Sequence, residues 1–400
     1  MSNIITDRRH PVRLTADAER RLRAGHPWIY DRSIERGPDG DARAGDLAVI
    51  FDRKKDRFLG IGFYDPNSPI RIKMLHAGGG VRITQDWFRE KIAAARTLRT
   101  PLLRTDTNGY RLLFGENDGL PGLVADVYAD CLVVKIYSTI WLPYLEWLVP
   151  QIEAAAETQQ TVLRFARRVQ PHTEYADGTV LRGALGADAP VEFREHGVRF
   201  LAYPVRGHKT GFFLDHRANR QRIGEMAAGK TVLDVFSYAG GFSVHALVGG
   251  AQHVISLDIS RPALDAAGAN VALNPHTGTH ETLAADAWAQ LRAWTRAGRP
   301  FDLVIIDPPA LAKRQSEVAG ALRKYAELAR LGAQLTARGG TLLLASCSSR
   351  VEAATFFRIH ADNLPAPFRQ TARTFHDVDH PVEFAEGAYL KTGYYQNGNR

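Results

Sequence analysis

Residues 301–313 read FDLVIIDPPALAK, and residues 339–349 read GGTLLLASCSS. Each stretch contains an uninterrupted apolar run that ends abruptly on polar residues, at Asp307 in the first and around Cys347 in the second. Continuous aliphatic runs of this length are typical of parallel β-strands that are covered on both faces. We therefore expect two buried parallel strands, one ending on a carboxylate and the other on a thiol.

The segment between these two strands is predicted to form a helix. Ser316 is a candidate cap at its start, and Gly339-Gly340 is a candidate stop signal at its end. Strand, helix and strand then form a right-handed β-α-β unit, in which both strands belong to one sheet. Because the carboxyl ends of parallel strands lie at the same sheet edge, Asp307 and Cys347 are predicted to lie near each other.

Length and composition indicate a globular protein with a polyanionic partner. The 400 residues allow two or three domains, and the hydrophobic content of 45% and charged content of 24% are ordinary. The formal charge of +8 favours an acidic partner such as nucleic acid. No stretch approaches the roughly 20 apolar residues of a membrane span, and the polar start MSNIITDRRH lacks signal-peptide features. We therefore predict no membrane association.

The chain has two cysteines, Cys131 and Cys347. This number is too small for a disulfide framework or a zinc cluster, and it indicates a reducing, cytoplasmic setting. Cys131 lies in an apolar stretch and is predicted to pack in the core. The 14 histidines show no metal-ligand spacing on a single helix, so we predict no metal.

Changes in residue pattern divide the chain into four segments. Residues 1–76 alternate short β-type runs with charged turns, which predicts a β-rich module. Residues 77–104 predict a helical linker, and residues 105–200 predict a central α/β module. Residues 201–400 are predicted to form the catalytic domain.

The first segment carries a cluster of basic and aromatic residues. Arg23, His26 and Trp28 lie at and just after the end of a short predicted helix. Such a mixture can bind RNA through phosphate contacts and base stacking, so these three are candidate RNA-binding residues. The alternative is an ordinary solvated face, which composition alone favours.

Residues 201–400 alternate predicted strands and helices five times, which indicates a doubly wound parallel sheet of the Rossmann-like α/β class. The stretch GAYLKTGYYQ alternates as an antiparallel edge strand does. In such an open sheet the ligand lies outside the carboxyl ends of the strands. Asp234, Asp258 and Asp286 each stand at or after the end of a predicted strand, on that side of the sheet.

The first of these strands runs into the turn DVFSYAGGFS, residues 234–243. Gly240 and Gly241 permit a close backbone approach, but the G-x-G-x-x-G fingerprint that seats a pyrophosphate is missing. A nucleoside ligand without phosphates therefore fits better. Asp258 is placed to accept from both ribose hydroxyls, and Asp286 could face an adenine amino group. Each of these aspartates could instead be a helix cap.

These motifs resemble those of class I S-adenosylmethionine-dependent methyltransferases, and the whole chain resembles the large-subunit ribosomal RNA cytosine-C5 methyltransferase family. GHPWIY and GFYDPNSPIRIKML resemble the family's N-terminal PUA module, an RNA-binding fold. RLLFGENDGLPGLVADVY resembles its central α/β module. KTGFFLDHRANR, FSYAGGFS, DPPALAK and SCSS resemble its Rossmann-like catalytic core. The ordered set is specific, although DPP or SCS alone would be a weak signal.

The resemblance implies S-adenosylmethionine as the cofactor and a cytosine of large-subunit ribosomal RNA as the substrate. Cys347 is implied to add to C6 of the base, so that C5 can accept the methyl group, while Asp307 engages the N3/N4 edge. The residues expected to bind the cofactor are Asp234, Phe236, Gly240, Gly241, Asp258, Asp286, Asp307 and Pro308. Further candidates for contacts with RNA are Lys209, Arg217 and Lys313. For Lys209 and Arg217 the alternatives are a cap on the cofactor pocket and a surface ion pair.

Two other functions remain open at this point. One is methylation of an exocyclic amino group, where an aromatic residue often follows Asp-Pro-Pro, but Ala310 stands at that position here. The other is a non-catalytic RNA-binding assembly factor that retains a cofactor pocket. Ribosomal RNA is the expected partner in each case, and a homodimer is the assembly to be tested.

Overall fold

The computed structural model describes residues 4–38 and 40–398. The chain divides into two compact units. The first unit consists of Met1–Phe193, Ala202–Leu214 and Val378–Phe384. The second unit consists of Arg194–Leu201, Asp215–Asp377 and Ala385–Arg400.

The first unit begins with a six-stranded sheet. Its strands are β1 (Arg9–Leu14), β2 (Trp28–Tyr30), β3 (Ile34–Arg36), β4 (Leu47–Phe51), β5 (Phe58–Tyr64) and β6 (Ile70–Ala77). Their order is β2-β6-β5-β4-β1-β3, with β1 and β4 parallel and the other neighbours antiparallel. Helix α1 (Ala16–Arg23) follows β1, and the hydroxyl of Thr15 caps it by accepting from the Ala18 amide at 3.3 Å.

A five-stranded sheet completes the first unit and shares a hydrophobic core with the first sheet. The rings of Phe63, Phe88 and Trp141 meet in that core, with centroids between 5.1 and 6.1 Å apart. Cys131 is fully buried, which confirms its predicted place in the core. The strands are β7 (Gly109–Phe114), β8 (Leu123–Tyr128), β9 (Cys131–Ile136), β10 (Gln160–Phe165) and β11 (Thr179–Arg182), in the order β11-β10-β9-β8-β7. The helices are α2 (Gln85–Leu98), α3 (Thr100–Leu103) and α4 (Leu145–Ala156).

A two-stranded hairpin, β12 (Val191–Glu195) and β13 (Val198–Ala202), precedes the second unit's seven-stranded sheet. The strands of that sheet are β14 (Thr231–Val235), β15 (His253–Asp258), β16 (Thr279–Ala284), β17 (Phe301–Ile306), β18 (Thr336–Ser346), β19 (Phe368–Thr374) and β20 (Lys391–Asn397). The helices are α5 (Arg217–Met226), α6 (Gly241–Val248), α7 (Arg261–Ala272), α8 (Ala287–Ala297), α9 (Val318–Leu335) and α10 (Ala353–Asn363). Short 3-10 helices of the chain lie at Asp31–Ser33, Gly115–Asp118, Thr139–Tyr144, Gln170–His172, Gln315–Glu317 and Ala385–Gly387.

The order of this sheet is β16-β15-β14-β17-β18-β20-β19, and the five strands from β16 to β18 are mutually parallel. The chain therefore winds outward from β14 in one direction and from β17 in the other. The reversal between β14 and β17 opens a crevice at their carboxyl ends, where doubly wound sheets bind ligands. The predicted Rossmann-like class is confirmed by this topology.

Two local predictions in this unit were wrong. Within GAYLKTGYYQ only KTGYYQ belongs to β20, which is antiparallel to β18 as predicted but lies inside the sheet, because β19 covers its other side. The exposed polar side chains of β19 suit the edge position, whereas β20 is almost wholly buried. The helix before β18 ends at Leu335 and not at Gly339-Gly340. The glycine pair instead lies in an irregularity of β18, where Gly339 adopts a φ of +74°.

Two kinds of feature are absent from the part of the chain that the structure describes. No helix within residues 4–38 and 40–398 combines the length and apolar composition needed to cross a bilayer. Over the same ranges, no group of three or more His, Cys, Asp or Glu side chains could hold a metal ion.

The first unit contains a buried ion pair that supports a direct stability test. Lys73 Nζ donates to Asp65 Oδ2 at 2.7 Å, and both side chains are 2% exposed. The K73M variant leaves the Asp65 carboxylate buried without its cation, so we expect the free energy of unfolding to fall by about 3 to 5 kcal/mol.

The matched control is R206M, which removes the exposed Arg206–Asp188 pair (68% and 81% exposed side chains). We expect R206M to change stability by less than about 1 kcal/mol. Urea unfolding followed by circular dichroism measures both variants. Equal effects of the two substitutions would contradict the assignment of Lys73 as the buried partner of Asp65.

Candidate active site

The ends of β14, β17 and β18 meet at the crevice of the second unit. The Asp307 amide donates to the Val235 carbonyl at 3.3 Å, which extends the pairing of β14 and β17 by one step. Sγ of Cys347 lies 4.0 Å from the carbonyl oxygen of Pro308. The predicted approach of the Asp-Pro-Pro and Ser-Cys-Ser segments is thus confirmed, although their assigned chemical roles stay predictions.

The turn after β14 has an unusual backbone. Phe236, Tyr238 and Gly240 all have left-handed φ angles, of 62°, 47° and 74°. A Cβ atom on Gly240 would lie 2.8 Å from the Cβ of Ala267 in α7, which is closer than side-chain packing allows. The turn therefore combines backbone strain with close contact to a helix, a combination that concentrates at ligand sites.

Asp234 holds this turn in place from the end of β14. One of its oxygens, Oδ2, accepts from the Ser243 amide at 3.1 Å and from the Ser243 hydroxyl at 2.7 Å. The other, Oδ1, is buried and has no hydrogen-bond partner in the described structure. Burial raises the pKa of Asp234 to about 7, and the nearby carboxylates of Asp307 and Asp258 add to this effect.

Asp258 ends β15 and also supports the turn. Its Oδ2 accepts from the Tyr238 amide at 3.0 Å, and its Oδ1 accepts from the Ser260 amide at 2.8 Å. Each carboxylate oxygen has a further lone pair, so the half-buried group retains capacity to accept from a ligand. Asp258 thus lies at the predicted sheet edge with the required acceptors.

Asp286 follows the neighbouring strand β16, and it caps a helix. Its Oδ1 accepts from the Ala289 amide at 2.9 Å, and the residue is exposed. Asp286 is therefore a helix cap, which was the alternative to a ligand contact. A ligand could still bind the carboxylate lone pairs of Asp286 that the cap leaves free. The ring of Trp288 in the same helix packs against Phe236 with centroids 5.3 Å apart, which links the first turn to α8.

His216 was not identified from the sequence, yet it faces Asp307. Its Nε2 lies 3.4 Å from Oδ2 of Asp307, and its Nδ1 lies 3.0 Å from the amide nitrogen of Asn219. Burial lowers the pKa of His216, but the Asp307 carboxylate outweighs burial and the pKa is raised. The residue lies inside the KTGFFLDHRANR motif, but no pattern within that motif marks it.

Cys347 is half-buried at the end of β18. Burial, followed by the carboxylates of Asp307 and Asp215, raises the pKa of its thiol to about 12. Lys391 was also missed, although it lies at the same strand ends. Its Nζ donates to the Ser348 carbonyl at 2.6 Å and to the Tyr389 carbonyl at 3.1 Å.

The candidate RNA-binding residues lie in different surroundings. Arg217 is fully buried and donates to Asp377 at 2.8 Å, so the predicted contact with RNA is wrong for this side chain. Lys313 is exposed just beyond the Asp-Pro-Pro segment, where its amide donates to Glu317 at 2.7 Å. Lys209 is exposed in the first unit.

Arg23, His26 and Trp28 do cluster in the first unit. Arg23 is exposed and pairs with Glu19 at 2.8 Å. The rings of His26 and Trp28 are 5.9 Å apart, and Trp28 Nε1 donates to Glu116 at 2.9 Å. The three residues share one region, but Trp28 is already engaged by its indole nitrogen.

Two protein families match this chain. Residues 145–385 match the family S-adenosylmethionine-dependent methyltransferase, and residues 12–77 match the PUA-like domain family. The chain belongs to the S-adenosylmethionine-dependent methyltransferases. S-adenosylmethionine is accordingly the cofactor, and the predicted fold class, with its PUA-like N-terminal domain, is confirmed.

Named relatives of this methyltransferase match it over almost their whole length. A ribosomal RNA large subunit methyltransferase of Deinococcus radiodurans is 42% identical over 96% of this chain and 97% of its own. Ribosomal RNA large subunit methyltransferase I of Aliivibrio fischeri is 37% identical over 95% and 97% of the two chains.

Two solved structures share the fold of this methyltransferase. One from Streptococcus mutans, provisionally described as a SAM-dependent methyltransferase, has a TM-score of 0.82, 20% identity and coverage of 97% of this chain and 100% of its own. The other, provisionally described as a methyltransferase and solved in complex with SAH, has a TM-score of 0.81 and 20% identity, and the match covers 97% of this chain and 99% of its own.

The first turn of the methyltransferase fits its cofactor. A left-handed Gly240 brings the backbone close to the crevice, and Asp258 offers acceptors for hydroxyl groups. The buried Oδ1 of Asp234 also has no partner from the described protein. S-adenosylmethionine has a ribose and no phosphate, which suits a turn that lacks the pyrophosphate fingerprint.

Alanine substitutions at Gly240 and Gly268 compare the strained turn after β14 with an ordinary helical position in α7. We expect G240A to lower the free energy of unfolding by about 3 kcal/mol, because alanine is strained at φ +74° and its Cβ meets Ala267. Cofactor affinity, measured by calorimetry, should fall as well. The control is G268A in α7, where the new Cβ has no neighbour within 4 Å and helix propensity predicts a gain of up to about 1 kcal/mol.

The buried Asp234 carboxyl predicts a specific pH dependence of stability. Its pKa is raised from 3.8 to about 7, so between these values the folded protein keeps a proton that the unfolded chain releases. Stability should therefore fall as pH rises through this window, by up to about 4 kcal/mol for the whole shift.

The D234N variant cannot release that proton and should lack this contribution. Urea unfolding at a series of pH values compares it with wild type and with D265N, which changes an exposed carboxylate. The difference in stability between wild type and D234N should shift in favour of D234N as pH rises. Parallel curves for those two proteins would refute the raised pKa.

Proposed function

We propose that this methyltransferase transfers a methyl group to C5 of a cytosine in large-subunit ribosomal RNA. The two named relatives, at 42% and 37% identity over nearly full length, are ribosomal RNA large subunit methyltransferases by name and support this substrate class. The observation that carries the C5 assignment is the position of Cys347 beside the Asp-Pro-Pro segment, 4.0 Å from the Pro308 carbonyl. Methylation at a base nitrogen would leave this cysteine without a role.

The cofactor is proposed to bind along the crevice at the carboxyl ends of β14, β15 and β17. Asp258 accepts from the ribose hydroxyls, and Asp286 faces the adenine amino group with the lone pairs that its helix cap leaves. The remaining contacts are assigned to Asp234, Phe236, Gly240, Gly241, Asp307 and Pro308. When bound, S-adenosylmethionine supplies an electrophilic methyl group carried on a positively charged sulfur.

Carbon 5 of cytosine is a weak nucleophile, and Cys347 is proposed to overcome this. Its thiolate donates an electron pair to C6, which forms an S–C6 bond and leaves C5 electron-rich. C5 takes the methyl group as its bond to the sulfonium sulfur breaks, and the electron pair of that bond stays on the sulfur. C5 then gives its proton to water, and the electron pair of the C5–H bond expels the Cys347 thiolate from C6. One difficult step is thereby divided into easier ones, as in other covalent catalysis.

Asp307 is proposed to stabilise the base during this addition. Addition at C6 raises the electron density at N3, so a proton shared between N3 and the Asp307 carboxyl stabilises the adduct. His216 lies 3.4 Å from Oδ2 of Asp307 and orients that carboxyl from the protein side. Pro308 restricts the backbone of the residue before it, Asp307, and so limits the directions in which the Asp307 carboxyl can point.

Three of the RNA-binding candidates lie within residues 12–77, which match the PUA-like family. The exposed Arg23 and the ring pair His26 and Trp28 suit phosphate contact and base stacking. Lys209 and Lys313 are exposed cations that suit phosphate contact. The cytoplasmic location and the homodimer remain predictions.

The C347A variant tests the nucleophile. We expect unchanged cofactor affinity and a loss of methyl transfer by roughly three orders of magnitude or more, because the covalent route is removed. Transfer of radiolabel to ribosomal RNA and mass spectrometry of its nucleosides measure activity and product. C131A, which changes the other cysteine in the core of the first unit, is the matched control and should remain active.

A covalent trap separates C5 chemistry from the alternatives. RNA containing 5-fluorocytidine should form a stable adduct with wild type and none with C347A, because fluorine cannot leave as the C5 proton does. An active C347A protein, or methyl transfer by a wild type that forms no adduct, would overturn the C5 proposal in favour of an exocyclic amino group. RNA binding without any methyl transfer would indicate an assembly factor.

A further inference from the structure

Lys391 is a buried lysine without a carboxylate partner. It is 1% exposed, and none of the ion pairs formed by residues 4–38 and 40–398 includes it. Lys73, which is equally buried, has the usual arrangement, with Asp65 at 2.7 Å. Because a buried ammonium group is costly unless it is compensated, the position of Lys391 calls for an explanation.

The position of Lys391 is fixed by the sheet. It begins β20 and lies opposite Ser346 in the antiparallel pairing with β18, so its neighbour across the sheet directly precedes Cys347. Its ammonium group donates to the Ser348 carbonyl at 2.6 Å, and this residue directly follows Cys347. A second bond to the Tyr389 carbonyl, at 3.1 Å, restrains the group further. The ammonium group is therefore held at the same strand end as the thiol.

The other groups around the sulfur are mainly unfavourable to a thiolate. Asp307 follows β17, Asp215 precedes α5, and both carboxylates oppose a negative charge on Cys347. The Asp215 carboxylate accepts from the Tyr389 hydroxyl at 3.0 Å, while His216 faces Asp307. On the α9 side, the Tyr325 hydroxyl bonds to Ser346 Oγ at 2.7 Å. The backbone amide of Cys347 and, after it, the Lys391 ammonium oppose the effect of the two carboxylates on the pKa of the thiol.

We propose that Lys391 is a positioning residue whose ammonium group stabilises the Cys347 thiolate. The inference rests on the proposed function, because it names the group that prepares the proposed nucleophile. The thiol gives its proton to the solvent and the resulting thiolate supplies the electron pair of the S–C6 bond. Lys391 keeps its own proton throughout, so it forms and breaks no covalent bond.

The charge of Lys391 has a distinct pH signature. Burial lowers the pKa of Lys391 to about 8, whereas the pKa of the Cys347 thiol is about 12. Below pH 8 the ammonium is charged, and the thiolate fraction rises about tenfold per pH unit. Above pH 8 the lysine loses its proton before the thiol does. Over about the next pH unit the loss of this charge offsets the gain in thiolate, so the thiolate fraction levels off until the tenfold stabilisation is lost.

The test is the alkylation rate of Cys347 by iodoacetamide at pH values on both sides of 8, followed by peptide mass spectrometry. Wild type should show a rising rate that levels off near pH 8. K391M should react about tenfold more slowly at neutral pH and show no levelling, because its side chain carries no charge. K391R should react within a few fold of wild type at neutral pH, also without levelling, because guanidinium does not titrate there.

Three controls accompany the alkylation profile. Cys131 is fully buried and should remain unmodified in each folded protein. Cofactor affinity and the thermal midpoint report whether each variant folds. If K391M does not fold, the comparison of wild type with K391R still decides, since only wild type should level off near pH 8.

A K391M profile that coincides with that of wild type overturns the proposal, as does a wild-type profile without the change of slope. The measurement needs neither RNA nor methyl transfer, so its failure is distinguishable from failure of the proposed function. If C347A stays active while alkylation depends on Lys391, the pairing stands and the nucleophile assignment falls. If C347A is inactive and alkylation ignores Lys391, only the role of Lys391 falls.

Discussion

The parallel pairing of β14, β17 and β18 is the constraint on which the site depends. Because parallel strands end at one edge, pairing of Ile306 with Val235 on one side and with Leu344 on the other brings three separate loops together. The amide of Asp307 continues this pairing to the Val235 carbonyl. A shift of one register position in β17 would exchange the side chains on its two buried faces, disrupt the packing on both sides and move Asp307 away from Cys347.

This convergence brings like charges together, and the structure compensates for them unequally. Asp258 accepts from two backbone amides, and Asp307 faces the His216 imidazole at 3.4 Å, whereas one oxygen of the buried Asp234 has no hydrogen-bond partner in the described structure. The raised pKa of Asp234 is the consequence, because burial and two neighbouring carboxylates all disfavour its charged form. Burial of the Asp234 carboxyl and the left-handed backbone at Gly240 both cost stability, and proteins retain such unfavourable features mainly at functional sites.

Sequence patterns predicted what local physics determines, namely the alternating strands and helices, the buried Cys131 and the loops at the sheet edge. They did not predict which individual side chains, far apart in the sequence, form ion pairs or hydrogen bonds with each other. Arg217 was a candidate for a phosphate contact, a cap on the cofactor pocket or a surface ion pair, but it forms a buried ion pair with Asp377. His216 and Lys391 were missed for the same reason, since each acquires its significance only from Asp307 or Cys347. The position of β20 likewise depended on β19, whose exposed polar residues gave a weak strand signal.

Asp307 has two opposing effects on the proposed chemistry, and substrate binding reconciles them. Without a base in the site, its carboxylate raises the pKa of the Cys347 thiol, so the cysteine is held largely as the unreactive thiol. Under the proposed mechanism, Asp307 shares a proton with N3 of the cytosine, which removes most of its negative charge from the surroundings of the sulfur. The Lys391 ammonium then acts with less opposition, and the thiolate becomes accessible when its target is present. A site with a permanently low thiol pKa would gain no such selectivity and would expose a reactive thiolate to oxidation.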